Sequence, residues 1–418
     1  MRCVSTRGAD SGSLSDAIAT GLAHDGGLFL PERLPHVAVE GETLVRRAVS
    51  LLAPLFEGDV LAPQLEAICA GAFSFPATTR WLSADTGLLE LFHGPTAAFK
   101  DFGARFLGET MSRLPRASQT TVLVATSGDT GAAVAAAFHR RPGFRVVILY
   151  PDGRVSQRQA HQLGAFGDNV RAFRVAGTFD DCQRLVKQAF SSDLRARQAL
   201  VSANSISLGR LLPQMAYYAH ASLEALAAGR ASPSFVVPTG NLGNAVACLM
   251  ARAMGAPIDR VVLATNANRV LPDFLATGRY EAQPSVATLA NAMDVGAPSN
   301  VERLRALFPD VAGAVRADWV SDEAIRGCIR RTFETFGEVI CPHTACGVEV
   351  LHRLRAEGVK GDFLVAATAH PAKFDTIVEP LVGRAVPPPA ALGELLARPA
   401  HAEPMAATIE GLTQALAS

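Results

Sequence analysis

The chain has 418 residues, 49% of them hydrophobic and 19% charged, with 39 Lys and Arg balanced by 39 Asp and Glu. This length provides for two or three domains around a large core, and the even charge balance excludes a net field that would draw nucleic acid or an anionic membrane, so any anion must be recognised locally. Seven cysteines in no C-x-x-C spacing read as buried free thiols of a reducing cytosol, and the absence of a secretory h-region or of an apolar run of about 18 residues gives a cytoplasmic expectation.

Residues 1–80 read as a mainly helical N-terminal layer without strong strand signals. A serine-capped helix spans Ser13–Ala23, Gly26-Gly27 breaks it, Leu28–Pro31 is extended, and helical patterns follow over Glu42–Leu55 and Pro63–Ala72. The next stretch, Leu91–Leu107 (L-F-H-G-P-T-A-A-F-K-D-F-G-A-R-F-L), sets Lys100 between Phe99 and Asp101. A lysine desolvated among apolar groups has a lowered pKa, and its neutral amine can attack a carbonyl to form a Schiff base; the alternative is an ordinary solvated lysine.

From Thr120 the pattern becomes strand and helix in alternation, the mark of a parallel sheet covered on both faces. Strands are predicted at Thr121–Ala125, Arg145–Tyr150 and Val170–Val175, with helices at Ala132–Arg140, Ser156–Phe166 and Phe179–Ser191, and Ala199–Ser202 leads into Asn204-Ser205. A second set follows: helix Leu211–Ala228, strand Phe235–Val237, helix Gly243–Met254 and strand Arg260–Thr265. Leu271–Gly313, rich in Pro, Gly and Asn, reads as irregular; then come helices Asp322–Phe336 and Thr344–Glu357, strand Asp362–Thr368, and a short helical tail beyond Pro387–Pro389. The expected division is an N-terminal region over 1–80, a large α/β domain from 81–111 and 206–418, and a small α/β domain over 112–205.

Three segments are candidate anion sites. P-T-G-N-L-G-N, Pro238–Asn244, joins a strand to a helix and would present backbone amides at a helix N-terminus, which suits a phosphate. It is not the G-x-G-x-x-G of dinucleotide sites, and a plain strand-to-helix turn is the alternative. T-S-G-D-T-G, Thr126–Gly131, has the same placement and adds hydroxyls that suit a carboxylate. Asp129 is its odd member, because a buried carboxylate repels an anion unless it meets a cation or a hydroxyl; an N-cap is the alternative reading. Asn204-Ser205 with Arg210 can grip a phosphate ester, although Arg210 alone reads as a surface charge. Glu349–His352 has E-x-x-H spacing but too few companions for a metal, so no metal is expected; the roles of His343 and His370 stay open.

Taken together, F-H-G-P-T-A-A-F-K-D-F-G-A-R-F, A-T-S-G-D-T-G-A-A-V, V-P-T-G-N-L-G-N, C-P-H-T-A and T-A-H-P-A-K-F stand in the order found in threonine synthases. S-T-R-G and D-G-G-L-F-L-P near the start resemble the bacterial and fungal branch of that family, and the resemblance spans about Val4 to Phe374. It implies an α/β architecture of pyridoxal 5'-phosphate (PLP) fold type II, similar to the tryptophan synthase β chain, with two parallel-type α/β domains behind the helical layer. It implies that Lys100 binds PLP covalently and is the catalytic base, that Gly240, Asn241, Leu242, Gly243 and Asn244 hold its phosphate, that Thr368 faces its ring nitrogen and that Asp129 lies near its ring hydroxyl. It further implies that Thr126, Ser127, Gly128 and Thr130 bind the substrate carboxylate, and that Asn204, Ser205 and Arg210 bind the phosphate of O-phospho-L-homoserine. The implied reaction is γ-elimination followed by β-addition of water, giving L-threonine and phosphate. A related PLP lyase (a serine/threonine dehydratase or an O-phosphothreonine phospholyase) and a non-catalytic PLP-binding homologue are the alternatives. The expected partner is a small-molecule substrate, with neither nucleic acid nor membrane, and the expected state is monomer or homodimer. One departure stands out: Ser207-Leu208-Gly209 replaces the N-W-A usual in the family.

Overall fold

The computed structural model describes residues 1–116, 118–194 and 199–417. Two sheets dominate it. The first has six strands in the order Arg316–Trp319, Val261–Thr265, Ser234–Pro238, Phe363–Ala367, Thr86–Glu90 and Thr78–Trp81. All its pairings are parallel except the last. The second has five parallel strands in the order Glu403–Ala406, Val170–Ala176, Phe144–Pro151, Thr120–Ala125 and Leu200–Ser202. Their inner strands read as continuous apolar runs because helices cover both faces: Thr120–Ala125, Ser234–Pro238 and Phe363–Ala367 are buried throughout.

The predicted helices form close to the expected bounds. Side chains fix several of their starts: Ser13, Thr43, Ser156, Thr178 and Ser321 each accept a backbone N–H of the first turn. One predicted helix is split. Leu211–Ala228 becomes Leu208–Leu211 and Gln214–Ala227, with Pro213, which has no N–H to donate, between them. Leu271–Gly313 is less irregular than expected, since it holds most of the helix Val270–Thr277 and all of Val301–Leu307.

The N-terminal region is helical over Leu14–Thr20, Leu44–Phe56 and Leu65–Ala72, and it also carries a three-stranded antiparallel sheet, Ser11–Ser13, Arg2–Ser5 and Phe29–Pro31. The tail differs from a purely helical one. Glu403–Ala406 adds a parallel strand to the edge of the second sheet, with Pro404 tolerated there because an edge strand has unpaired positions. All seven cysteines are buried and free. No helix among the described residues is long and apolar enough to cross a membrane.

Candidate active site

The C-terminal ends of both sheets open onto one cleft of about 840 Å³. Such crevices are where open α/β sheets bind ligands. Lys100 lies in its wall as the first residue of the helix Lys100–Arg113. Three backbone hydrogen bonds place it there: one extends the parallel pairing of Thr86–Glu90 with Phe363–Ala367, and two form a separate antiparallel bridge between Ala98 and Ala369. Leu91 N–H donates to Ala367 (3.0 Å), Phe99 N–H to Thr368 (2.8 Å), and His370 N–H to Ala97 (3.0 Å). Lys100 and Thr368 are therefore brought together by that antiparallel bridge, just beyond the end of the strand pair.

Asp101, fully buried, fastens the turn before Lys100 by accepting from the Thr96 amide (2.9 Å) and hydroxyl (2.7 Å). Gly94 is required there, since a Cβ would lie 2.5 Å from an Asp101 oxygen. Gly103, one turn into the helix, has the same kind of duty: a Cβ would lie 2.6 Å from the Arg210 carbonyl. The half-buried Lys100 amine is pulled from the ordinary 10.5 down to about 8 by desolvation, against the opposing charge of Asp129 and with the help of Arg210 and Lys373. It thus has a sizeable neutral fraction near neutrality, as a nucleophile or base requires.

Gly240–Asn244 follows the inner strand Ser234–Pro238 and opens the helix Gly243–Ala253. Leu242 takes the left-handed conformation (φ 64°), and Gly240 packs so closely on Met293 that a Cβ would lie 2.7 Å from its Cα. Asn244 is buried; its Oδ1 accepts from the Tyr217 and Tyr218 hydroxyls, and its Nδ2 has no partner. A buried donor left without an acceptor is costly, and here it stands with helix N-terminal amides in a loop that has no carboxylate. That donor set fits the phosphate of PLP, as the Lys100 amine fits its aldehyde.

Thr126–Gly131 leaves the inner strand Thr120–Ala125 and enters the helix Asp129–Phe138. Ser127, Asp129 and Thr130 line the cleft, whereas Thr126 and Gly128 do not. The Thr126 hydroxyl accepts from the amides of Gly128 (3.0 Å) and Gly131 (2.9 Å), so it braces the loop. Gly128, at φ 132°, makes a turn that other residues rarely adopt. Asp129 has the cation its burial demands: the Lys373 ammonium, 0% exposed, lies 2.8 Å from Oδ1 and also donates to the Thr96 carbonyl (2.9 Å). Gln159 donates to that same Oδ1 (2.9 Å), which leaves Oδ2 without a hydrogen-bond partner among the described residues. Burial would push Asp129 up, but Lys373, Lys100 and His343 together hold it well below the usual carboxylate range.

The third segment ties the two loops together. Asn204 pairs through its side-chain amide with both backbone groups of Ala125 (2.8 and 3.3 Å), and Ser205 accepts from Asn241 (2.6 Å). Arg210 is no surface charge: it is 2% exposed, donates through Nη1 to Ala203, and has an Nε with no partner. Where Ser207-Leu208-Gly209 stands, Leu208 is buried, and Gly209 lets Ile18 and Leu107 approach within 2.9 and 3.0 Å of where a Cβ would sit.

Sequence reasoning missed Lys373 and left His343 open. The signal for Lys373 was available, because a carboxylate in an anion-binding loop asks for a cation and T-A-H-P-A-K-F supplies one. His343 lines the cleft, accepts from the Ala292 amide through Nε2 (3.1 Å), and is held near 4 by burial, so it is neutral at pH 7. His370 caps the short helix Pro371–Phe374 outside the cleft. Glu349 is engaged by Arg331 and Arg353, and the described residues hold no group of three or more potential metal ligands.

A sequence model described as pyridoxal-phosphate dependent enzyme matches residues 87–368, flanked by matches to the threonine synthase N terminus over residues 2–73 and the threonine synthase C-terminal region over 344–415. The chain is 39% identical over 393 residues to the threonine synthase of Haemophilus influenzae, covering 91% of each protein. Its structure is similar to that of threonine synthase from Escherichia coli (TM-score 0.92, 36% identity, 99% of each chain). It is also similar to PLP-bound threonine synthase from Brucella melitensis (TM-score 0.89, 33% identity, 100% of this chain and 98% of that one).

Proposed function

This chain belongs to the threonine synthase family, is a PLP-dependent lyase of fold type II, and on that premise we propose how its cleft carries out the reaction. The substrate is O-phospho-L-homoserine, which with water gives L-threonine and phosphate. The observation that carries this reading is the convergence on one cleft of Lys100, the neutral glycine cradle, the hydroxyl loop and the buried Arg210.

When bound, PLP supplies an electron sink for the negative charge that develops next to the substrate's α carbon. Lys100 is both its point of attachment and the base that removes the α proton. Gly240–Asn244 would hold the cofactor phosphate, Thr368 would offer a neutral hydroxyl to its ring nitrogen, and Asp129, with one oxygen free, would accept from its ring hydroxyl. Ser127 and Thr130 grip the substrate carboxylate in a loop braced by Thr126 and Gly128. Arg210 and Ser205 hold the phosphate ester and then the departing phosphate, with Asn204 fixing their segment to the hydroxyl loop. The two sheets correspond to the large and small domains, with the 403–417 tail assigned to the small one, and the buried reduced thiols suit a cytoplasmic setting.

Lys100→Ala tests the assignment. It removes the attachment amine and the base together, so turnover and the visible absorbance of the PLP-loaded protein should both disappear, and a fully active variant would end the reading. Assaying L-threonine for conversion to 2-oxobutyrate separates a dehydratase from the synthase.

A further inference from the structure

Of the 39 basic residues in the chain only four are lysines: Lys100, Lys187, Lys360 and Lys373. Lys100 and Lys373 belong to the cleft. Lys187 stands on the helix Phe179–Ser191, whose residues 179, 183, 186 and 187 share one face by helical spacing. That face leads from the cleft to the surface. Phe179 and Gln183 line the cleft; Gln183, Val186 and Lys187 line an adjoining cavity of about 330 Å³ together with Asn204, Asn241 and Ser299. Lys187 also borders an open groove of about 1780 Å³.

The groove carries four cations, Arg7, Arg184, Lys187 and Arg305, against the carboxylates Asp180 and Glu302. Arg7 is taken by Glu302 (3.1 Å) and Arg184 by Asp181 (3.1 Å). Among the described residues neither Lys187 nor Arg305 has an ion-pair or side-chain hydrogen-bond partner. Uncommitted positive charge along a walled groove raises the local concentration of an anion and its rate of entry. A lysine at the inner end adds a compact, movable ammonium where the planar fork of arginine would fill more of the small cavity.

We infer that this groove is the entrance for the phosphate ester and that Lys187 is a specificity-determining residue, reaching the substrate phosphate from the adjoining cavity while the fixed guanidinium of Arg210 lines the cleft itself. The inference rests on phosphohomoserine being the substrate. Arg210 is held by burial and by its bond to Ala203, so it sets the position of the phosphate; Lys187, exposed and unpaired, selects for its charge.

The test uses the PLP-loaded enzyme, with KM and kcat for O-phospho-L-homoserine and the inhibition constant of inorganic phosphate measured at low and high ionic strength. Lys187→Ala should raise KM and the phosphate constant together by about tenfold, the worth of one charge-assisted contact, and flatten their salt dependence, with kcat held within about twofold. Lys187→Arg should fall between wild type and Lys187→Ala, and Lys360→Ala should match wild type. An unchanged phosphate constant in Lys187→Ala, or a fall in kcat at constant KM, overturns the assignment. If wild type forms no threonine, the substrate reading has failed, and calorimetry of inorganic phosphate on the same loaded proteins still decides the role of Lys187.

Discussion

Thr126–Gly131 and Thr239–Asn244 are built alike: each leaves the C-terminal end of an inner parallel strand, opens a helix, and relies on one residue in a positive-φ conformation, Gly128 in the first and Leu242 in the second. Their charges differ. The second loop has no ionisable side chain and keeps a buried donor, Asn244 Nδ2, without a partner. The first carries a buried carboxylate with one oxygen saturated by Lys373 and Gln159 and the other unpaired toward the cleft. A helix N-terminus favours an anion wherever it occurs, so the backbone alone cannot distinguish two ligands. Side chains decide: the neutral loop accepts a phosphate, and the loop that already contains an anion accepts a hydrogen-bond donor, with hydroxyls beside it for a carboxylate.

Removing the cation from the charged loop should have the largest effect. In Lys373→Met the Asp129 carboxylate stays buried without its partner, and breaking such a pair from one side typically costs about 3–5 kcal/mol. Urea denaturation should show a loss of that size, and Asp129→Asn added to Lys373→Met should recover part of it, because the double variant leaves no charge uncompensated. A single variant as stable as wild type would mean that Asp129 is protonated in place, and the contrast between the loops would vanish.

The neutral loop should break sterically. In Gly240→Ala the new Cβ meets the backbone of Met293 at 2.7 Å, and neither backbone can yield cheaply. Cofactor affinity should fall by roughly tenfold to a hundredfold, which corresponds to about 1.4–2.8 kcal/mol, read by titrating the apoprotein with PLP. The comparison sharpens if Asn244→Ala also weakens PLP while leaving phosphohomoserine's KM little changed.

Much of this was legible in the sequence, and the remainder has a physical reason. T-V-L-V-A, F-V-V and F-L-V-A-A announce inner strands because both of their faces are apolar, and each glycine loop is a local strand-to-helix signal. The edge strands Arg316–Trp319, Thr78–Trp81 and Glu403–Ala406, and the short N-terminal strands Arg2–Ser5 and Ser11–Ser13, have no such run. They are held by backbone pairing to partners that only the fold supplies. The residue types of the site could be read from its motifs, but their convergence could not. Lys100 meets Thr368 through an antiparallel bridge beyond a strand pair, Gly103 meets Arg210 through helix packing, and Lys373 meets Asp129 across both sheets.

The smallest expected effect concerns Lys100, which feels the charged loop but not the neutral one. Its folded pKa of about 8 lies below the ordinary 10.5, so between those values the unfolded chain binds the proton that the folded chain has released. The cost of enclosing a protonated Lys100 is therefore fully present below pH 8, declines as pH rises toward 10.5, and is absent above it; stability rises with pH through that window. The same shift sets reactivity. The rate at which apoprotein captures PLP should rise with pH about a midpoint near 8, and a midpoint near 10.5 would show that the amine is solvated. Because Asp129 holds the Lys100 pKa up against burial, Asp129→Asn should move the midpoint to lower pH. Gly240→Ala, which changes no charge, should weaken capture without moving it. An upward shift in Asp129→Asn would mean that the carboxylate is not ionised beside Lys100, and that Lys373 is compensated by some other group.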